Sequence, residues 1–205
     1  MSTILVVGTN NRHKLSEITH LLGGLDLTLK TAGEYGSFDP DETGSTLEQN
    51  ALIKAEAALK LSREWSIADD TGLEVDALDG RPGIYAARYA GPGCTFDDNI
   101  RKLLGELAGF PPERRGARFS CVIALCRPGR PSMTFRAECA GRILEARRGD
   151  SGFGYDPVFV INELNKSFAE LNLEEKNRIS HRSRAVKLLR AELVNLFAQD
   201  DRLNR

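Results

Sequence analysis

Apolar runs of two different periods alternate along the first half of the chain, and this alternation narrows the fold more than any other feature. Residues 4–7 are a short apolar run closed by Gly8, which reads as a buried strand. Asn10 or Asn11 then caps a helix with apolar positions Leu15, Ile18, Leu21 and Leu22, stopped by Gly23 and Gly24. A second strand is expected near residues 25–29. Residues 32–44, rich in Gly, Asp and Pro, read as a loop. Ser45, Thr46, Leu47 and Glu48 form a capping-box pattern that opens a long helix to about residue 61. Residues 66–69 are the next strand. Beyond it, residues 78–93 read as a long irregular loop and 96–107 as an amphipathic helix. Residues 119–126 and 133–143 read as the arms of a hairpin, and 158–161 as a short strand. Ser180 is expected to cap a last helix striped by Val186, Leu189, Leu193, Leu196 and Phe197, with a charged, frayed tail after Gln199. Strands alternating with helices, then a hairpin, predict an α/β fold with a mixed sheet. Open sheets of this kind gather ligand sites at strand ends and helix starts.

The 205 residues, 41% apolar, suffice for a single domain spanning 1–205. A formal net charge of −1 gives no global pull toward nucleic acid or an anionic membrane surface. The four cysteines show no C-x-x-C spacing and the three histidines no H-E-x-x-H, which removes the common zinc and redox motifs. There is no secretory signal pattern, and no apolar stretch approaches bilayer length. A cytoplasmic protein is the expectation.

Four local patterns carry possible chemistry. Asp69 and Asp70 follow the apolar run at 65–68 and precede Thr71-Gly72. Adjacent acids repel, and a metal ion or a raised pKa is the usual resolution. Carboxylate oxygens suit magnesium, which shares its shell with waters and phosphates. The same four residues are also good turn chemistry. Thr9, Asn10, Asn11, Arg12, His13 and Lys14 lie between the first strand and first helix, where free N–H groups attract anions. Lys14 opposes the helix dipole unless it faces an anion. An ordinary Asn cap with solvated basic side chains fits equally well, and the Walker pattern is absent.

The acidic stretch Asp39, Asp41 and Glu42 fails as an EF-hand because Asn50 stands where the closing Glu belongs. Glu42 could instead supply a magnesium ligand, and Lys54 on the following helix could point back to it. Phe153, Gly154, Tyr155 and Asp156 form a glycine-flanked aromatic loop suited to a flat ligand such as a base, or to a plain turn with core aromatics. Lys176, Ser180, His181 and Arg182 bring basic groups to the start of the last helix, where they could read a base edge or hold a phosphate.

In this order the blocks resemble one family. They are Thr9-x-Asn11-x-x-Lys14-x-x-Glu17, Glu42-Thr43-Gly44, Glu48-x-Asn50-Ala51-x-x-Lys54-Ala55, Ala68-Asp69-Asp70-Thr71-Gly72-Leu73, Pro82-Gly83-Ile84-Tyr85-x-Ala87-Arg88-Tyr89, Gly152-Phe153-Gly154-Tyr155-Asp156-Pro157 and Ser180-His181-Arg182. Together they resemble the inosine triphosphate pyrophosphatase, or Ham1, family in its bacterial form, over nearly the whole chain. Arg12-His13, Trp65 and a longer tail after Leu196 are small departures.

The resemblance implies an α/β fold with an elongated mixed β-sheet flanked by helices, two lobes with a central cleft, and a homodimer. It implies magnesium-dependent hydrolysis of dITP, ITP and XTP to the monophosphate and pyrophosphate. By the same carry-over, the loop Thr9, Asn10, Asn11, Arg12, His13 and Lys14 would hold the triphosphate, and Glu42 and Asp70 would ligate Mg2+. Asp70 would accept the proton, Lys54 would support phosphate charge, and Thr71 would contact substrate. Phe153, Gly154, Tyr155, Asp156, Lys176, His181 and Arg182 would surround the purine and ribose. Two other readings stand beside this one. They are a non-catalytic nucleotide-binding module, and a Maf-type pyrophosphatase acting on pyrimidine or methylated nucleotides. The central expectation is that Glu42 and Asp70 lie close enough to share one ion.

Overall fold

The computed structural model describes residues 3–203, with side chains through residue 199. It contains a mixed open sheet with strand order β2-β1-β3-β5-β6-β7-β8, and β4 paired to β3. The strands are β1 (Thr3–Val7), β2 (Leu27–Thr31), β3 (Trp65–Val75), β4 (Pro82–Gly83), β5 (Gly116–Arg127), β6 (Arg130–Ile143), β7 (Phe159–Ile161) and β8 (Lys166–Ser167). The helices are α1 (Arg12–Leu22), α2 (Leu47–Ser62), α3 (Phe96–Glu106), α4 (Leu173–Ile179) and α5 (His181–Leu203). None of the described helices is long and apolar enough to cross a membrane. The chain divides into two compact units, and the divisions fall inside β3, β5 and β6.

The first unit comprises residues 1–70, 122–137 and 182–205. Here β1 pairs in parallel with both β2 and β3, with Leu5 opposite Leu29 on one side and Trp65 on the other. Parallel strands need crossover connections, and α1 and α2 supply them. Asn11 caps α1 as one of the two expected candidates, accepting from the N–H groups of His13 at 2.9 Å and Lys14 at 3.2 Å. Alanines 51, 55 and 58 of α2 are fully buried. These small side chains let α2 approach β1 closely, and Gly8 completes the fit. A Cβ there would meet the Lys54 carbonyl and the Phe38 ring, each at 3.1 Å. The cap of α2 is Thr46, which accepts from Gln49 N–H, while Gln49 Oε1 accepts from Ser45 N–H. The capping residue is therefore one position later than the Ser45 pattern suggests. The apolar stripe of α5 is buried as expected at Val186, Leu189, Leu193 and Leu196. Its backbone stays helical to Leu203 rather than fraying after Gln199, and residues 204 and 205 lie outside the described residues.

The second unit comprises residues 71–121 and 138–181. Its core centres on Phe119, Phe159 and Phe168, with ring centroids 4.7 to 5.9 Å apart. β4 pairs antiparallel with β3, placing Leu73 opposite Gly83. Residues 78–93 are thus less irregular than their glycine content predicts, and include a short 3-10 turn at Ala86–Arg88. α4 has no counterpart among the elements expected from the sequence. Its seven residues, LEEKNRI, show too little apolar periodicity to stand out, although Asn172 and Glu175 form a reciprocal capping box. Ser180 closes α4 as its C-cap and directly precedes α5.

Candidate active site

β3 carries both aspartates in its interior. The turn reading of Asp69-Asp70-Thr71-Gly72 fails because Leu73 and Val75 are fully buried and β4 pairs alongside them. Successive strand side chains point to opposite faces, so the two carboxylates separate into different surroundings. This is how the adjacent acids coexist.

Asp69 is 2% exposed. Its Oδ2 accepts from Lys14 Nζ at 3.0 Å and from Arg182 Nε at 3.2 Å. Arg182 also donates to Glu17 through a short bond. Burial alone would raise the Asp69 pKa, but Lys14, Arg182 and Lys54 together hold it well below the usual carboxylate range. Lys14, otherwise ill-placed in the first turn of α1, thus gains an anion from β3.

Asp70 belongs to a second cluster. Lys54 Nζ donates to Asp70 Oδ1 at 2.8 Å and to Glu42 Oε1 at 2.7 Å. Asn50 Nδ2 donates to the other Asp70 oxygen at 3.4 Å. Burial pushes the Asp70 pKa up, and the pull of Lys54 does not fully offset it. For Lys54, burial works downward, but Asp70, Asp69 and Glu42 together raise its pKa and keep it charged. Gly44 lets the Glu42 loop close onto α2. A Cβ there would come within 2.6 Å of Asn50 Oδ1, which instead accepts the Gly44 N–H at 2.9 Å.

Two carboxylates and one ammonium leave this cluster with one net negative charge. The donor set suits magnesium, which takes one or two carboxylates and completes its shell with water and phosphate oxygens. Among the described residues no group of three or more His, Cys, Asp or Glu side chains is placed to hold a metal. Glu42 and Asp70 both reach a single cation, the Lys54 ammonium.

The remaining residues of the first loop divide by task. Thr9 Oγ1 accepts from Asn11 N–H at 3.1 Å and shapes the start of α1. Asn10 donates to the Phe38 carbonyl at 2.7 Å, tying the loop to the acidic segment. Arg12 lies in the first turn of α1, and His13 is exposed beside it.

In the second unit, Gly152 and Gly154 both take positive φ, at 79° and 63°. The chain turns tightly enough for Asp156 to accept from Phe153 N–H at 2.9 Å and from Lys176 Nζ at 2.7 Å. Asp156 and Lys176 are 3% and 4% exposed. The Lys176 ammonium lies 5.0 Å from the Phe153 ring centroid, which makes a cation–π contact. His181 stacks on Phe119 at 4.6 Å with a 14° interplanar angle. The Tyr155 hydroxyl donates to the Ala86 carbonyl at 2.9 Å and is buried. Thr71 follows Asp70 on β3 and is partly exposed.

Sequence reasoning assigned no part to Glu17, Asn50 or Asn177. Glu17 stands three residues after Lys14 on α1, so both share one helix face. That spacing is the signal that could have placed Glu17. Asn50 sits on the same α2 face as Lys54 by i,i+4 spacing. Asn177 is 6% exposed, and its side-chain amide has no hydrogen-bond partner among the described residues. Nothing local marks it.

An interior strand of an α/β sheet thus divides two adjacent aspartates between a Lys14–Arg182 cluster and a shared Lys54–Glu42 cluster, and the proteins that share this chain's sequence and fold are hydrolases of nucleoside triphosphates. The Ham1 family profile matches residues 5–192. A dITP/XTP pyrophosphatase of Geobacter sulfurreducens is 48% identical over 93% of this chain and 96% of its own length. That of Bacillus subtilis is 44% identical over 90% and 93%. The solved structure of a HAM1 protein from Coxiella burnetii superposes with a TM-score of 0.87 at 37% identity, over 94% of this chain and 99% of that one. The Staphylococcus aureus Ham1 protein gives a TM-score of 0.85 at 41% identity, with the same coverage. The chain belongs to the Ham1 family.

Proposed function

We infer that this chain is a magnesium-dependent nucleoside triphosphate pyrophosphatase that hydrolyses dITP, ITP and XTP to the monophosphate and pyrophosphate. The observation that carries the reading is the meeting of Glu42 and Asp70 on Lys54. Relatives named dITP/XTP pyrophosphatase, 48% and 44% identical, support the substrate class. The same resemblance supports a cytoplasmic homodimer in which residues 1–205 act as one two-lobed domain. The formal charge of −1 supports a small-molecule partner rather than nucleic acid or membrane.

Glu42 and Asp70 would hold the magnesium ion, which when bound supplies charge neutralisation at the phosphates. Thr9, Asn11 and Lys14 bind the triphosphate at the start of α1, with Asn10, Arg12 and His13 beside them. Lys14 and Lys54 balance the charge that develops on the leaving pyrophosphate. Asp70 takes the proton of the attacking water. Thr71 contacts the substrate next to Asp70.

Phe153, Gly154, Asp156, Lys176 and His181 recognise the purine and ribose. Tyr155 and Arg182 complete that surround, the Tyr155 hydroxyl anchored on the Ala86 carbonyl and the Arg182 guanidinium on Asp69 and Glu17. Lys176 is a buried donor suited to the C6 oxygen of hypoxanthine and xanthine. Adenine carries an amine at that position, which would set donor against donor and disfavour ATP.

A panel of natural and deaminated nucleoside triphosphates, assayed for pyrophosphate with and without magnesium, tests the reading. Pyrophosphate and monophosphate should appear from dITP, ITP and XTP only with the metal. Orthophosphate with diphosphate would move the cleaved bond. Binding without release at any metal concentration would make the protein a binding module. Turnover confined to pyrimidine or methylated nucleotides would make it Maf-type.

A further inference from the structure

Phe96 is a large apolar side chain left 43% exposed at the first position of α3. A phenylalanine left this exposed forgoes part of the stabilisation that burial would give it. Its backbone is well fixed. Thr95 and Asp98 cap the helix reciprocally, with Thr95 N–H donating to Asp98 at 2.9 Å. One turn on, the buried Asn99 ties α3 to the preceding segment by accepting from Ala90 N–H at 2.7 Å and donating to the Ala87 carbonyl at 3.0 Å.

From this platform the Phe96 ring reaches Phe153, with centroids 6.1 Å apart and planes inclined at 51°. That falls within the tilted geometry aromatic pairs prefer. Phe153 needs such a neighbour. The glycines on both sides of it have positive φ and carry no side chains of their own to place against its ring. Lys176 supplies one contact through its ammonium, and Phe96 supplies a second from another element.

We propose that Phe96 is a positioning residue for base recognition: its ring sets the orientation of Phe153 and thereby the affinity for the purine. This rests on the assignment of Phe153 to the base. Phe96 acts through Phe153 and leaves the phosphate chemistry of Glu42, Lys54 and Asp70 untouched.

The test compares wild type with Phe96→Ala, Phe96→Leu and Phe96→Tyr. Titration calorimetry measures inosine monophosphate, which carries the base, and pyrophosphate, which lacks it. Steady-state kinetics with dITP run in parallel. Phe96→Ala should weaken inosine monophosphate about two- to tenfold, the range an aromatic pair supplies. It should raise KM for dITP by a similar factor with kcat nearly unchanged, and leave pyrophosphate affinity alone. Phe96→Tyr should restore wild-type values, and Phe96→Leu should behave as the alanine variant and replaces it if that variant does not fold. Unchanged inosine monophosphate affinity in both aliphatic variants would overturn the proposal. So would equal losses for inosine monophosphate and pyrophosphate, which indicate general damage. Because the binding arm needs no turnover, a wild type that releases no pyrophosphate would refute the proposed reaction while the inosine monophosphate affinities still decide the role of Phe96.

Discussion

Asp69 and Asp70 are covalent neighbours on one strand whose carboxyl pKa values are displaced in opposite directions. Asp69 is held ionised by Lys14 and Arg182, whereas burial raises the pKa of Asp70 beyond what Lys54 restores. The strand pleat makes this possible, since adjacent side chains enter different clusters.

Asp70→Asn should abolish turnover, lowering kcat by about a hundredfold or more, the scale of a lost general base. The metal-free variant should nonetheless melt close to the wild-type temperature, because relief of the burial penalty at Asp70 is offset by the loss of the main counter-charge of Lys54. A carboxyl with a folded pKa above its unfolded one costs stability when ionised at neutral pH, and that cost vanishes as pH falls through the folded value. Scanning calorimetry at pH 7 without metal reads the effect. A clearly lower melting temperature would mean that the Asp70 charge supports the fold.

Asp69→Asn should have the opposite character. It strips a buried charge from between Lys14 and Arg182, which typically costs about 3–5 kcal/mol. The folded pKa of Asp69 lies below the unfolded value of about 3.9. The stabilisation is therefore full above that value and is lost as pH falls toward the folded pKa. Urea unfolding at pH 6 and pH 3 should show the wild-type advantage shrinking at the lower pH. An advantage that is constant with pH would remove ion pairing as the cause.

Lys54→Met leaves Glu42 and Asp70 with no shared ammonium. Losing the cation that pulls the Asp70 pKa down should raise it further. The acid limb of the pH–rate profile should then move to higher pH, and maximal turnover should fall. An acid limb that stays in place while turnover falls would show that some other group sets that limb.

Gly152→Ala should disturb base recognition through the backbone. The residue has φ of 79°, and an added Cβ would collide with the Asp156 carboxylate. Strain of this kind costs about 1–3 kcal/mol. The collision should also break the Phe153 N–H bond to Asp156, so KM for dITP should rise more than kcat falls. Kinetics that match wild type would show that the loop accommodates a side chain.

Local signals in the sequence located the α1 cap, the long α2 helix, the β5–β6 hairpin and the α5 stripe, because each depends on neighbours within a few residues. They failed at β3. Asp69-Asp70-Thr71-Gly72 has the composition of a turn, but pairing with β4 carries the strand on to Val75. Partners distant in sequence override local preference in strands more than in helices. α4 escaped because seven largely polar residues carry no readable period, and their packing, not their pattern, makes them helical.

The candidate site divides along the same line. The motif blocks and their order along the chain carried the resemblance to the Ham1 family and singled out Glu42, Lys54 and Asp70 as candidates. Which oxygen faces which cation was decided only by folding. Lys14 comes from α1, Lys54 from α2 and Arg182 from α5, and they converge on two adjacent residues of β3. Electrostatic fields depend on distance through space and on exclusion of water, and neither quantity is written in linear spacing.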